Sequence, residues 1–213
     1  MFQLENLVVQ HVLEIDKLSL EENVISIEGQ SGSGKSTLLR LLNNLDNPTS
    51  GKIYFKQKNI ADISPLELRK KVVMLPQSTV IFDGSIRDNL TIGLTFSNQA
   101  RATEDSLQQM LDYLWINHSL DTNASDLSGG EQQRIALGRI LLLKEAEVFL
   151  LDEPSSDLDD RTTDHVMKKF IDIAKDAGQQ IIMVTHDRHV SEKFADMVVK
   201  MDPYSKRMKD WSE

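Results

Sequence analysis

A glycine-rich run near the amino terminus has the pattern of a phosphate-binding loop. Gly29–Ser36 fits G-x-x-x-x-G-K-[ST], follows an apolar run and opens a predicted helix. Glycines let backbone amides converge on phosphate oxygens, and the helix amino terminus adds a favourable dipole. The lysine can reach the β- and γ-phosphates, and the serine can ligate Mg²⁺. The residues predicted to bind a nucleoside triphosphate are Gly29, Gln30, Ser31, Gly32, Ser33, Gly34, Lys35, Ser36 and Thr37.

Two adjacent carboxylates, Asp152 and Glu153, follow the apolar run Val148–Leu151. Four apolar residues before a carboxylate place Asp152 at the exit of a core strand, where it can orient Mg²⁺ held by Ser36. Glu153 lies one position further on and is predicted to face the other way. A carboxylate there suits deprotonation of a water that attacks the γ-phosphate. The pair therefore predicts a metal ligand and a general base.

Two further polar residues follow apolar runs of the same kind. Gln77 comes after Val72–Leu75, and His186 comes after Ile181–Thr185. A glutamine that follows the carboxyl end of a strand can bind the metal through a metal-bound water. Its position can then depend on whether the γ-phosphate is present. A histidine at the same edge of the sheet can sense the γ-phosphate. We therefore expect Gln77 and His186 to join Glu153 in the catalytic group, with Ser36, Gln77 and Asp152 around the metal.

A second glycine-rich helix start lies about 100 residues downstream. The stretch LSGGEQQR, at residues 127–134, opens an apolar helix with two glycines. Ser128, Gly129 and Gly130 would offer a hydroxyl and helix-start amides to a phosphate. The chain thus carries two phosphate cradles, and the second needs its own explanation.

The surrounding elements alternate between strands and helices, which indicates an α/β fold. Short continuous apolar runs predict strands with both faces buried in a parallel sheet, and the first segments predict a small antiparallel portion. Between about 77 and 144 helical patterns dominate, with the best amphipathic run at Glu104–Ile116. We expect one domain spanning 1–213, with a core of 1–76 and about 145–213 and an inserted helical subdomain at about 77–144.

The composition limits the classes of function. The 213 residues are 40% hydrophobic and 27% charged, with a net charge of −9 and no cysteine. The acidic balance argues against a nucleic-acid partner, and the lack of cysteine excludes thiolate chemistry. No apolar stretch approaches the roughly 18 residues of a membrane span, and the amino terminus lacks a signal-peptide pattern. We expect a cytoplasmic protein that reaches a membrane only through a partner.

The ordered set GQSGSGKST, Gln77, LSGGEQQR, VFLLDEP, SSDLD and His186 resembles the nucleotide-binding subunit of an ABC transporter over essentially the whole chain. The resemblance implies a P-loop NTPase core of the RecA-like kind, with ATP and Mg²⁺ as ligands. It implies an ATPase in which two copies associate head to tail, so that Ser128, Gly129 and Gly130 contact the partner's ATP. Asp159, in the D-loop Ser156–Asp159, would contact the opposite site. A separate membrane permease would be the other partner, with the chain on the cytoplasmic face.

Three positions depart from the family's pattern. No aromatic residue stands near the end of the first strand to stack on adenine, where Val8–His11 occur instead. Asp157 replaces the usual alanine of the D-loop and adds a carboxylate near the expected dimer seam. Gly138 replaces a usual alanine in the helix after LSGG, at a cost of roughly 1 kcal/mol unless something packs closely there.

The segment Met74–Gly93 resembles ABC exporters in its order of glutamine followed by F-D-G-S-I-R-D-N-L. The acidic, glycine-containing stretch that exporters often carry before LSGG is absent. The nearest subtype is the iron-export type of ATP-binding subunit. The alternative is a soluble ABC ATPase that serves an assembly machine, such as iron–sulfur cluster assembly. A coiled-coil chromosome or DNA-repair ATPase does not fit, because only 50 positions separate Gln77 from Leu127.

Overall fold

The computed structural model describes residues 1–206, in which nine strands form two sheets and seven α-helices surround them. The strands are β1 (Phe2–Val9), β2 (Leu13–Leu20), β3 (Val24–Glu28), β4 (Ser50–Phe55), β5 (Lys58–Asn59), β6 (Val72–Leu75), β7 (Val148–Asp152), β8 (Gln180–Val184) and β9 (Met197–Lys200). The helices are α1 (Lys35–Leu42), α2 (Pro65–Lys71), α3 (Ile86–Phe96), α4 (Glu104–Tyr113), α5 (Gly129–Leu141), α6 (Asp160–Asp176) and α7 (Arg188–Phe194). The last seven residues of the predicted domain, 207–213, lie outside the described residues.

The first sheet is antiparallel, with the strand order β2-β1-β4-β5. Its strands alternate buried apolar and exposed polar residues, as in β1, where Phe2 and Leu4 are buried and Gln3 is exposed. This sheet is the small antiparallel portion that the sequence predicts. It covers one face of the second sheet together with α1.

The second sheet has the order β6-β7-β8-β3-β9, and all of its pairings are parallel. Successive residues of β7 point to opposite cores: Val148 and Leu150 face α1 and the antiparallel sheet, whereas Phe149 and Leu151 face the helices α3 to α6. Both faces are therefore buried, as the continuous apolar runs predict. Because the strands are parallel, the segments that follow β3, β6, β7 and β8 all emerge at one edge.

Two helices end earlier than the sequence predicts, which is at about Leu45 for α1 and at Ile116 for α4, and three elements were not predicted. Helix α1 stops at Leu42 because Asn44 adopts a left-handed backbone with φ of 54°. Helix α4 stops at Tyr113 because Trp115 has φ of 51°. The short helix α7 and the strands β5 and β9 were missed, since β5 and β9 carry only two and four residues and lie at sheet edges.

Among residues 1–206, no helix combines the length and the apolar character that crossing a bilayer requires. The helices α3, α4 and α5 instead pack on one another through buried leucines. Gly138 lies at the centre of this packing. A Cβ atom on Gly138 would be 2.6 Å from Leu114 Cδ1, 3.0 Å from Leu90 Cδ2 and 3.2 Å from Met110 Cγ. The glycine therefore lets α5 approach both other helices closely.

Gly138→Ala is expected to destabilise the chain, although alanine favours helices by roughly 1 kcal/mol over glycine. Overpacking against three buried side chains costs about 1–3 kcal/mol and outweighs that gain. Urea unfolding followed by circular dichroism measures the net change. Gly129→Ala, in the first turn of the same helix, is the control, because nothing lies within 4 Å of its Cβ position. A Gly138→Ala variant more stable than the wild type would contradict the close packing.

Candidate active site

The carboxyl ends of β3, β6, β7 and β8 surround a cavity of about 300 Å³. The strand order explains the meeting of distant segments, because ligands of open parallel sheets bind at this edge. Each predicted catalytic and metal-binding residue lines it. The cavity-lining residues are Val12, Ser31, Gly32, Gly34, Lys35, Ser36, Thr37, Gln77, Asp152, Glu153, Val184 and His186.

The phosphate-binding loop joins β3 to α1 and depends on glycine at two of its turns. Gly32 and Gly34 have φ of 80° and 93°, a left-handed region that favours glycine. A Cβ on Gly34 would also lie 2.4 Å from Leu13 Cδ2. The Lys35 ammonium is buried and donates hydrogen bonds to the carbonyls of Gly29 at 2.8 Å and Gln30 at 3.0 Å. A positive charge is thus held beside a ring of backbone amides.

Asp152 ends β7 beside the hydroxyl of Ser36. Burial raises the pKa of the Asp152 carboxyl, while its hydrogen bond with Ser36 and the charge of Lys35 oppose that rise. Asp152 Oδ1 is buried and has no hydrogen-bond partner among the described residues. Hydroxyl, amide and carboxylate oxygens from Ser36, Gln77 and Asp152 suit Mg²⁺, which usually takes its remaining ligands from water and phosphate. The residues present therefore fit a magnesium–nucleotide pair.

Both the backbone and the side chain of Glu153 are held by contacts with the end of β8 and the residues after it. Its backbone has φ of 51°, and its N–H donates to the carbonyl of Val184 at 2.9 Å. The His186 N–H donates to Glu153 Oε2 at 3.1 Å, and His186 Nε2 lies 3.4 Å from Oε1. Burial raises the pKa of the Glu153 carboxyl, and the His186 contacts oppose that rise. The left-handed turn places Glu153 in the same cavity as Asp152, so the prediction that it faces the other way is wrong.

Three predicted phosphate-binding residues do not line the cavity. Gly29 and Gln30 line a neighbouring cavity of about 350 Å³, which shares His186 with the first. Ser33 is 1% exposed, and its Oγ lies 2.7 Å from the position of a Cβ on Gly29. These residues therefore contribute to the conformation of the loop: the carbonyls of Gly29 and Gln30 hold Lys35, and Ser33 is buried.

The LSGG segment does not line the cavity of its own chain. Ser128 caps α5 in a capping box: its N–H and hydroxyl donate to Glu131 Oε2 at 2.9 and 2.7 Å, and its Oγ accepts from the Glu131 N–H. Gly130 packs on the next loop, since its Cβ would lie 2.8 Å from the Asp157 carbonyl oxygen. Asp159 caps α6, because its side chain accepts from the N–H and hydroxyl of Thr162.

Gln133, in the second turn of α5, connects three segments of the site. It is 0% exposed, its Nε2 donates to the Pro154 carbonyl at 3.2 Å, and its Oε1 accepts from the Thr79 hydroxyl. Thr79 follows Gln77, and Pro154 follows Glu153. The helix that begins at the LSGG segment is thus bonded to both catalytic loops of the same chain.

Gln133→Leu is expected to lower the free energy of unfolding by about 1–3 kcal/mol, because the Pro154 carbonyl loses its buried partner. Gln132→Leu is the matched control, since Gln132 is partly exposed and its side-chain bond reaches only Leu127 of the preceding turn. Urea denaturation of both variants measures the difference. Equal stability of the two variants would contradict the claim that Gln133 stabilises the contact of α5 with the segments of Thr79 and Pro154.

Three contributors to the site were missed by the sequence reasoning. Val12 lines the cavity near the expected adenine position, whereas His11 lies in the preceding turn with φ of 59°. Val184 lines it as the last residue of β8. Asp202 Oδ1 accepts from the Gln30 N–H at 3.2 Å and steadies the loop. Apolar residues and a distant aspartate carry no local motif, so only the fold reveals them.

Comparison with known proteins gives consistent matches. The ABC transporter family model matches residues 16–156. Methionine import ATP-binding protein MetN of Geobacillus kaustophilus (strain HTA426) is 33% identical over 199 residues, covering 90% of this chain and 58% of that protein. The chain thus spans somewhat over half the length of the MetN relatives that it matches.

Two similar solved structures agree over nearly the whole chain. A dimer of the ATP-binding cassette MJ0796, in a post-hydrolysis state bound to ADP and Pi, has a TM-score of 0.79 and 26% identity, and the match covers 97% of this chain and 95% of that chain. CbiO1 of Clostridium perfringens, part of the ABC transporter complex cbiONQ, has a TM-score of 0.80 and 27% identity, with 97% and 85% covered. These matches confirm the resemblance drawn from the motifs and the P-loop NTPase fold, and the chain belongs to the ABC transporter family as one of its ATP-binding cassettes.

Proposed function

We propose that the chain binds ATP with Mg²⁺, hydrolyses it, and uses the cycle to drive a membrane permease. The observation that carries the proposal is the convergence of Lys35, Ser36, Asp152, Glu153 and His186 on one cavity. The post-hydrolysis state of MJ0796, with ADP and Pi, supports hydrolysis by analogy.

Each side chain has a role that its position supports. Backbone amides of the loop and Lys35 would bind the β- and γ-phosphates. Ser36, Gln77 and Asp152 would hold Mg²⁺, which would neutralise phosphate charge. Glu153 orients a water and takes its proton, since its raised pKa suits a general base better than that of an exposed carboxylate. His186 fixes the Glu153 carboxylate through its backbone N–H, and its side chain lines the same cavity, where it would sense the γ-phosphate.

We further propose that the LSGG segment acts on the nucleotide of a second copy. Within the described chain, Ser128 and Gly129 lie outside the phosphate cavity, and nothing lies within 4 Å of a Cβ on Gly129. The fold of this chain therefore does not require a glycine at 129, whereas close approach of a partner's phosphate does. The dimeric state of MJ0796 supports a pair of copies, and in a head-to-tail arrangement Asp159 would lie near the opposite site.

The division into a core and a helical subdomain at about 77–144 supplies a docking face for a permease. Val80 and Phe96 are 55% and 72% exposed, and Phe96 packs edge-to-face on Phe82 at 6.2 Å between ring centroids. Exposed apolar side chains that are close together mark interaction sites. CbiO1 is part of a transporter complex, which supports a membrane partner at the cytoplasmic face.

The order F-D-G-S-I-R-D-N-L supports export, although MetN is named for import. The iron-export subtype stays a prediction. Deleting the chain from its source organism is expected to raise total cellular iron, measured by mass spectrometry. Unchanged iron would contradict that subtype and leave the ATPase proposal intact.

Copurification from detergent extracts tests the permease partner. The tagged chain is expected to recover a multi-span membrane protein, and Phe96→Asp is expected to lose it. Leu66→Asp is the control, because Leu66 is equally exposed at 72% on α2. Recovery of soluble partners alone would favour the iron–sulfur assembly alternative.

A further inference from the structure

An exposed aromatic residue, Trp115, lies between α4 and α5 in an unusual backbone conformation. Its φ of 51° is an outlier for a bulky residue, and its side chain is 42% exposed. Such strain persists where surrounding contacts over-determine it and often marks a functional position. The Trp115 ring adds little to the core, so its contacts need another reason.

The backbone of the Trp115 segment is bonded to the helix that begins at the LSGG segment. Arg134 Nη1 donates to the carbonyls of Leu114 at 2.8 Å and Trp115 at 2.7 Å. His118 Nε2 lies 3.1 Å from Glu131 Oε1, and Glu131 is the partner of Ser128 in the capping box of α5. The segment around Trp115 therefore moves with the amino terminus of α5.

The ring of Trp115 contacts α6, the helix that follows the D-loop, and the D-loop is the other segment that we assign to the partner's site. It stacks on His165 of α6, with ring centroids 3.8 Å apart and planes at 18°. The Arg161 guanidinium lies 5.5 Å from the Trp115 ring, and Lys169 Nζ lies 5.6 Å from the Tyr113 ring. Residues four apart share one helix face, so 161, 165 and 169 form a stripe along α6 that faces these two aromatics.

Helix α6 begins immediately after the D-loop, whose Asp159 is its cap. A second contact joins the same two segments, because Gly130 packs against the Asp157 carbonyl. Burial and the charge of Lys169 lower the pKa of His165. The LSGG segment and the D-loop are thus fixed to each other by a backbone contact at one end and an aromatic stack at the other.

We infer that the Trp115–His165 stack positions the LSGG segment relative to the D-loop, so that both meet the partner's nucleotide as one rigid unit. Trp115 is a positioning residue, because it touches neither the phosphate cavity nor its loops. The inference rests on the proposed dimeric ATPase. A loosened unit lowers the rate in the dimer and leaves nucleotide binding to the monomer unchanged.

The test compares Trp115→Ala, Trp115→Phe and His165→Ala for kcat and for binding of a fluorescent ATP analogue to the monomer. Trp115→Ala and His165→Ala are expected to lower kcat about tenfold, since small misplacements of reacting groups have effects of this order. Trp115→Phe, which keeps a stacking ring, should restore most of the rate. His189→Ala is the control, because His189 lies on the neighbouring helix α7 and pairs with Asp164 of α6 without contacting the Trp115 ring.

A wild-type kcat in both alanine variants would overturn the inference while the ATPase proposal stands. Weakened monomer binding in step with kcat would also overturn it, as would no rescue by phenylalanine. If Trp115→Ala does not fold, as judged by circular dichroism, His165→Ala alone decides, because it leaves the backbone contacts of Trp115 in place. A wild-type chain with no ATPase activity would reject the proposed function, and with it this inference.

Discussion

Glu153→Gln is expected to bind ATP, to hydrolyse it at least about a hundredfold more slowly than the wild type, and to accumulate as an ATP-bound dimer. Loss of a general base costs about 10²–10⁴ in rate. Glutamine keeps the shape of the side chain and an acceptor for the His186 N–H, so the loop conformation should survive. Phosphate release and size-exclusion chromatography with ATP measure the two effects.

Glu192→Gln is the control for the same chemical change, because it removes an exposed carboxylate on α7 that does not line the cavity. Its turnover should equal that of the wild type. If Glu153→Gln hydrolyses ATP at the wild-type rate, Glu153 is not the base and another group must activate the water.

Ser128→Arg is expected to abolish turnover while the monomer binds ATP with unchanged affinity. A bulky cation at the start of α5 blocks close approach to a partner's phosphates, yet it lies outside the chain's own cavity. Single-turnover assays at several protein concentrations, together with nucleotide titration of the monomer, separate the two quantities.

Ser85→Arg controls for the loss of a helix cap. Ser85 forms the equivalent capping box at α3 with Asp88, so the substitution measures what a lost cap alone does to the isolated chain. Weakened ATP binding in the Ser128→Arg monomer would contradict the assignment of Ser128 to the partner's site.

The cavity could be predicted from the sequence because each of its parts has a local signature. Asp152 and His186 each follow a short apolar run, and Lys35 ends a glycine-rich loop that follows another such run. Parallel strands bring the carboxyl ends of these runs to one edge of the sheet. The orientation of Glu153 could not be predicted, since it depends on a single left-handed residue held by the carbonyl of Val184. Side chains alternate between the two faces of a strand, so this alternation places Glu153 on the face opposite to Asp152. The left-handed turn at Glu153 breaks the alternation.

Contacts between segments that are distant in the sequence could not be predicted from local patterns. From the sequence alone, Gly138 is only a residue of low helix propensity. In the structure, the side chains of Leu90, Met110 and Leu114 leave no room for a Cβ atom at this position. The stack of Trp115 on His165 joins positions 50 residues apart, and no local pattern links them. Such pairs follow from tertiary packing, which overrides local propensity.

The central claim is that one nucleotide is bound between the phosphate-binding loop of one chain and the LSGG segment of another. The chain contains no cysteine, so single cysteines can report this contact directly. Ser31→Cys and Ser128→Cys are placed in two differently tagged chains that also carry Glu153→Gln. The two are mixed with and without ATP, oxidised, and separated on a non-reducing gel. Ser64→Cys, at the start of α2, replaces Ser128→Cys in the control.

We expect a disulfide-linked heterodimer of the Ser31→Cys and Ser128→Cys chains that forms only with ATP and is absent with Ser64→Cys. If that heterodimer does not form with ATP, or forms equally without nucleotide, the nucleotide is not bound between the two segments.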